Sequence, residues 1–233
     1  MMNRYPNQAR ILVATDCIIF GFDGEELKLL LIKRNFEPEE GKWSLMGGFL
    51  KEEEDLEAGA KRILFDLTGL NNIYVEQLGA FGKVDRDPVE RTLSVAFFAL
   101  INIRDHDQEA VRMHNAHWIS LKNKPALIFD HDDMVVLALE HLRYNAALHP
   151  IGFELLPEAF TIPQLQKLYE AIYDMQIDRR NFSRKILSTG LLIDTGAKNM
   201  SAPTKKAILY CLDKEKYQKK FYAFWYFMPS QGK

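Results

Sequence analysis

Between Gly48 and Leu70 the sequence places acidic side chains, one arginine and glycines at spacings that chemistry can use. Glu52, Glu53, Glu54 and Asp55 come first, Arg62 follows, and Asp66, Gly69 and Leu70 close the stretch. Carboxylates gathered on one helical face hold a hard cation such as Mg2+, which takes oxygen ligands. Such an ion can clamp a pyrophosphate for cleavage. Ile63 and Leu67, one turn apart on one face, offer no oxygen beside these acids. Glu54 and Asp66 alone make a poor clamp. The acids also suit a helix N-terminus, where the dipole favours negative charge. Leu56, Ala60, Ile63, Leu64 and Leu67 form an apolar stripe at helical spacing. A structural or ligand-binding role therefore fits the stretch better than catalysis.

A second group lies between Arg179 and Ser188. Phe182 and Ile186 are four apart and predict the core side of a helix. Arg180 and Arg184, also four apart, sit about 200° from Phe182 and point outward together. Asn181, Ser183 and Lys185 flank them, and Arg179 stands at the helix start. Arginine reads guanine edges or phosphates and asparagine reads adenine, so this face suits a major groove. Lys198, Lys205 and Lys206 follow in a predicted hairpin and could hold a nucleic-acid backbone. A solvated polar helix face is the plainer alternative.

The elements that must position these groups follow from patterning. Residues 11–20 and 27–34 are apolar runs joined by a Gly21-to-Glu26 turn, a hairpin signal. A helix is predicted over 55–68, stopped by Gly69. Strands are predicted over 73–81 and from His117, and 92–103 reads as a strand buried on both faces. Residues 130–148 repeat apolar positions at helical spacing behind three aspartates. This order suits a mixed sheet between helices. The Pro- and Gly-rich stretch 149–157 reads as a linker. After it, Thr161 and Pro163 open a helix, and Asp178 caps a second. A hairpin follows, with a polar loop predicted over 195–203. Helix, turn, helix and hairpin make a winged helix.

Composition supports two modest domains, 1–150 and 151–233, in a chain of 233 residues with 47% hydrophobic content. The net charge of −2 is unevenly spread. Residues 151–233 carry 13 Lys and Arg against 8 Asp and Glu, a net of +5, which leaves −7 for the rest. A basic C-terminal part suggests a polyanionic partner. No stretch reads as a signal peptide or a membrane span. Cys17 and Cys211 read as reduced, buried thiols, as expected of a cytoplasmic protein. The aromatic tail from Tyr217 to Met228 predicts a packed rather than a solvated segment.

The frame at Gly48, Glu54, Arg62, Gly69 and Leu70 resembles the Nudix box of pyrophosphohydrolases, and Trp43-Ser-Leu-Met-Gly-Gly48 resembles its lead-in. A working box continues from the arginine as R-E-U-x-E-E, where U is apolar. Beyond the linker, Leu155 to Leu192 resembles the Nudix-related transcriptional regulators, the NrtR-like family. That family has a Leu-Gln-x-x-Tyr-Glu-x-Ile segment ahead of an Arg-Asn-Phe-x-Arg-Lys helix. Asp85-Arg-Asp-Pro88 with Arg91 to Ala96 also resembles the family's R-D-P-R-G-R-x-x-S-V-A stretch, with Val89-Glu90 in place of Arg-Gly. The resemblance covers nearly the whole chain.

What the resemblance implies is a Nudix α/β/α sandwich with a mixed sheet, followed by a winged helix-turn-helix domain. It implies a homodimeric repressor that senses a small molecule and binds a palindromic operator. Founding members look to ADP-ribose and NAD metabolism. A branch with degenerate boxes resembles arabinose-responsive regulators, and the loss of box carboxylates favours L-arabinose here. A neutral sugar needs hydrogen bonds and an apolar wall, without metal or cofactor. Arg34, Trp43, Asp85 and Arg86 are the candidate effector contacts. Three alternatives stay open: a hydrolase of ADP-ribose-like nucleoside diphosphates, a regulator sensing ADP-ribose, and a scaffold whose winged helix contacts protein.

Overall fold

The computed structural model describes residues 8–71, 73–105, 111, 113–148, 150–199 and 207–219. The N-terminal part is built on one long strand. β1 (Leu12–Phe22) is apolar on both faces and buried along most of its length. It runs parallel to β6 (Thr92–Asn102) over eleven residue pairs. Its other edge is shared. β2 (Leu27–Lys33) pairs with residues 20–22, and β4 (Met46–Phe49) pairs with residues 14–17. The sheet therefore forks beside β1. β3 (Trp43–Ser44) and β7 (Ala116–Ser120) extend the β2 branch, and β5 (Glu76–Phe81) closes the far edge against β6. Seven strands make up this mixed sheet among the described residues.

Alternation along β1 divides the core. Ile18, Phe20 and Phe22 face one side, where Met134, Val135, Ala138 and Leu142 of α2 (His131–Leu148) pack. Cys17 and Ile19 face the other side, against Ala60 and Leu64 of α1 (Leu56–Thr68). The result is the expected three-layer sandwich. Helix α1 starts where Asp55 accepts the Ala58 N–H, and it ends at Gly69 in the left-handed conformation. No described helix is long and apolar enough to cross a membrane.

Three expectations need correction. The strand predicted from residue 73 begins at Glu76, although Ile73 and Val75 are buried beside it. The stretch read as a linker is a 3-10 helix (Pro150–Leu155) with Phe153, Leu155 and Leu156 in the core. Its apolar side chains outweigh the loop signal of Pro and Gly. The wing loop predicted from Thr195 is strand up to Asn199, carried past Gly196 by an irregularity between Asp194 and Lys198.

The C-terminal part has the predicted order. α3 (Ile162–Tyr173) opens with a reciprocal capping box between Thr161 and Gln164. α4 (Arg179–Ser188) is capped by Asp178. β8 (Leu192–Asn199) and β9 (Ala207–Leu212) form the wing hairpin, and α5 (Lys214–Lys219) follows. Leu165, Leu168, Tyr169, Ile172, Phe182 and Ile186 bury into the same apolar cluster that packs β1 against α2. One continuous core therefore joins the two parts. Cys17 is buried and Cys211 half-buried. Burial pushes the Cys17 thiol up, so it stays protonated and inert. The aromatic tail beyond residue 219 lies outside the described residues.

The capping box is a direct test of how α3 is anchored. Thr161→Ala removes the hydroxyl that accepts the Gln164 N–H and should cost about 1 kcal/mol. A melting curve should drop by roughly 2–4 °C; an unmoved transition would show that packing alone sets the helix start.

Candidate functional site

The fork beside β1 opens into a cavity of about 250 Å3. Its walls come from four directions. Ala14 and Asp16 rise from β1, Arg34 and Phe36 from the end of β2, Gly47 and Gly48 from β4, and Leu67 from α1. Arg86, Asp87, Phe129 and His131 complete it from the loop before β6 and the start of α2.

The floor is a buried ionic group. Arg86 donates to Asp130 from Nε (3.0 Å) and Nη2 (2.7 Å), a two-point grip on the residue just before α2. Nη2 also lies 3.5 Å from Asp16. Asp16 accepts the Ser94 hydroxyl at 2.5 Å and stands 3.6 Å from His131 Nε2. His131 Nδ1 accepts the Leu45 N–H at 3.3 Å, so the other ring nitrogen is the one left to carry a proton. Burial holds the His131 pKa below its usual value and keeps the ring neutral. Two carboxylates thus face one guanidinium. At the mouth, Arg34 lies flat on Phe36, 3.9 Å from the ring centre, with Phe129 at 5.8 Å. Its Nε donates to the Phe36 carbonyl at 3.2 Å, and it has no acidic partner within 4 Å among the described residues.

The sequence-predicted effector residues divide in two. Arg34 and Arg86 meet at this cavity. Trp43 and Asp85 do not line it. Trp43 alternates with Ser44 on β3, so Ser44 faces the cavity and Trp43 turns away. There it meets His117 edge-on at 5.5 Å, and Lys33 lies over its ring. Asp85 is exposed on the surface beside buried Arg86. Sequence reasoning missed Asp16, Asp130 and His131. Asp16 is the only charged residue of β1, a strand otherwise mostly apolar and buried, and that was the available signal.

The Nudix fold implies Mg2+, but the residues here do not fit that ion. Ile63 is buried against Gly48, and Leu67 lines the cavity where carboxylates would be needed. Glu54 is held by Arg62, one oxygen on Nε and the other 2.9 Å from Nη2. That hydrogen bonding lowers the Glu54 pKa to about 2. Arg62 also donates to the Phe49 carbonyl at 3.1 Å and contacts Asp66 at 3.5 Å. Among the described residues, no three His, Cys, Asp or Glu side chains gather as a metal site requires.

A larger groove, about 580 Å3, runs between the two parts of the chain. Three of its acids are engaged: Asp174 pairs with Lys122 at 2.7 Å, Glu170 accepts from Gln166 and the Ile177 N–H, and Glu26 accepts the Ser120 hydroxyl at 2.6 Å. The smaller cavity carries Arg34 at its mouth and Arg86 at its floor.

The second predicted site is the outer face of α4. Phe182 and Ile186 are buried, while Arg179, Arg180, Asn181, Arg184 and Lys185 are exposed and Ser183 half-buried. Arg184 donates to the Asn181 side chain at 2.8 Å, so the two present one polar surface. Lys198 is exposed on β8. Lys205 and Lys206 lie outside the described residues. Behind α4, the Phe182 ring stands 5.7 Å from Tyr169, which fixes the helix on α3.

Comparisons with known proteins match both halves. Residues 10–136 match the NUDIX domain, and residues 152–212 match the NrtR DNA-binding winged helix domain. The ADPR responsive transcriptional repressor NtrR of Acinetobacter baylyi is 32% identical over 188 residues, 79% of this chain and 75% of that protein. The crystal structure of Shewanella oneidensis NrtR complexed with a 27mer DNA superposes with a TM-score of 0.74 at 30% identity, covering 88% of this chain and 95% of that one. The NUDIX domain of the same Shewanella protein, in a cocrystal structure with ADP ribose, matches at 30% identity with a TM-score of 0.52, over 60% of this chain and 94% of that one. With both domains matched in order along one chain, this protein belongs to the NrtR family of transcriptional regulators, in which a Nudix domain is joined to a DNA-binding winged helix.

Proposed function

We propose that this protein is a ligand-responsive transcriptional repressor whose effector binds in the Arg34–Arg86 cavity and whose α4 face reads operator DNA. The observation that carries this reading is the joining of the two sites by one apolar core. Arg180, Asn181 and Arg184 reach base edges, with Arg179, Ser183, Lys185, Lys198, Lys205 and Lys206 holding phosphates. Two copies of the chain would set two α4 helices on a palindrome, with half-sites one or two helical turns apart. Effector binding acts through its different affinity for the operator-bound and free arrangements.

Kinship favours ADP-ribose as the effector, since the Acinetobacter relative is named for responding to it and the Shewanella Nudix domain was crystallised with it. Arg34, with no acidic side chain within 4 Å among the described residues and two aromatic rings beside it, is the group to meet a phosphate. One observation favours the sugar reading, L-arabinose. The charge of Arg86 is already answered by Asp130 and Asp16, and the cavity is small for a dinucleotide-like ligand. Buried carboxylates such as Asp16 are good acceptors for sugar hydroxyls. Hydrolysis is disfavoured in either case, because Ile63 and Leu67 stand where oxygen ligands belong.

The deciding experiment is fluorescence anisotropy on DNA from upstream of the protein's own gene, at two salt concentrations, with ADP-ribose or L-arabinose added. Binding should be tight and weaken steeply with salt. Release by ADP-ribose alone selects the first effector, release by arabinose alone the second, and a failure to bind any such fragment overturns the repressor reading. Arg180→Ala should weaken operator binding by about 1–3 kcal/mol, with unchanged affinity removing it from the readout. An assay for AMP and ribose 5-phosphate formed from ADP-ribose with Mg2+ should stay at background; sustained turnover would make the protein a hydrolase.

A further inference from the structure

One helix touches both sites. At its start, Asp130 grips Arg86 on the cavity floor and His131 stands beside Asp16. Asp132 accepts the Leu127 N–H at 3.1 Å, which ties the same turn to the preceding loop. About 20 Å further along, the other half of α2 meets α3 through three directed hydrogen bonds. Tyr173 donates its hydroxyl to the Arg143 carbonyl at 2.8 Å. Arg143 Nε returns a bond to the Ile172 carbonyl at 2.9 Å. Tyr169 donates to the Ala146 carbonyl at 3.1 Å from a buried position. Tyr169 then packs on Phe182, the core residue of α4. Between these ends, Met134, Val135, Ala138, Leu142 and Ala146 bury one face of the helix along its length.

We infer that α2 is the relay by which the state of the Arg86–Asp130 pair sets the placement of the α4 reading helix. This deepens, and rests on, the operator-binding reading above. A ligand group that draws Arg86 into the cavity loosens its grip on Asp130. The start of α2 then shifts, and the far end carries α3 and α4 with it through the tyrosine and arginine bonds. A packed, rigid element in contact with both sites is a physical route by which such coupling can travel. The three bonds to α3 are directional, and apolar contact alone would let the helices slide.

The test is a double-mutant cycle on operator affinity without any effector, which makes it independent of effector identity. Asp130→Asn weakens the grip on Arg86 at the cavity end, and Tyr173→Phe removes one hydroxyl at the α3 end. Sites so far apart with no shared partner usually act additively. The relay predicts instead that the double variant departs from the product of the single effects by more than roughly threefold, within the range of coupling energies seen between linked residues. Agreement with the product within about twofold overturns the relay while leaving operator binding intact. Should Asp130→Asn melt early, Asp130→Glu keeps the charge, moves the carboxylate and serves the same cycle with the same two outcomes. Absence of operator binding by the unsubstituted protein would instead overturn the operator reading, and the relay with it.

Discussion

The structure depends on a constraint that burial imposes on Asp16. A carboxylate within an apolar strand cannot remain ionised in a dry interior without partners. Ser94 on β6, Arg86 from the loop before it and His131 on α2 converge to supply them. Arg86 in turn is a buried guanidinium that two carboxylates must balance, and Asp130 is the second. Breaking such a group by removing one member typically costs about 3–5 kcal/mol, because the remaining charge stays buried. Replacing the whole group with apolar residues is often neutral, so stability alone does not account for it. A fixed set of donors and acceptors around an open space is what a binding site needs.

That group also decides where α2 lies. Asp130 and His131 are both drawn to the cavity floor, and the first turn of the helix is set from there. The rest of α2 covers the sheet through Met134, Val135, Ala138 and Leu142. Its last turns supply the surface on which Tyr169 and Tyr173 anchor α3. Helix α4 is thus tied to the cavity by a chain of contacts through α2 and α3. The 3-10 turn from Pro150 to Leu155 belongs to this chain, since Phe153 packs on Phe160 at 5.3 Å. A free linker there would let the winged helix drift relative to the sandwich; the buried turn holds it.

Much of this was legible in the sequence because local rules and burial agreed. Asp55, Thr161 and Asp178 cap the helices they announce, and Gly69 ends α1. The outward face of α4 follows from two apolar residues four apart. The cavity was less legible, because its residues come from loops and strand ends whose facing depends on long-range pairing. Trp43 and Ser44 are neighbours, and only the register of β3 on β2 decides which one meets the cavity. Asp85 and Arg86 pose the same problem within one loop, where the side chain with a buried partner turns inward and its neighbour stays in solvent. The 3-10 turn was missed for a related reason: Pro and Gly signal a break in regular structure, but they do not say whether the broken segment is buried.

The apolar residues at positions 63 and 67 can be understood from what each position does in the fold. Gly47 and Gly48 lie where the chain passes Asp16 and α1. A Cβ at Gly47 would run into the Asp16 carboxylate, and one at Gly48 would meet Ile63 at 3.2 Å. Glu54 and Arg62 tie the loop after β4 to α1, and Arg62 reaches the Phe49 carbonyl besides. These members of the frame hold a strand, a loop and a helix in one arrangement whether or not an ion is bound. Positions 63 and 67 have no such duty. Filled with Ile63 and Leu67, they turn from ligand donors into apolar wall, one packed on Gly48 and the other facing the cavity. The frame keeps its shape with apolar side chains at these two positions. What remains is a shaped cavity beside a charged floor, held in place by the contacts that fix β4, the following loop and α1.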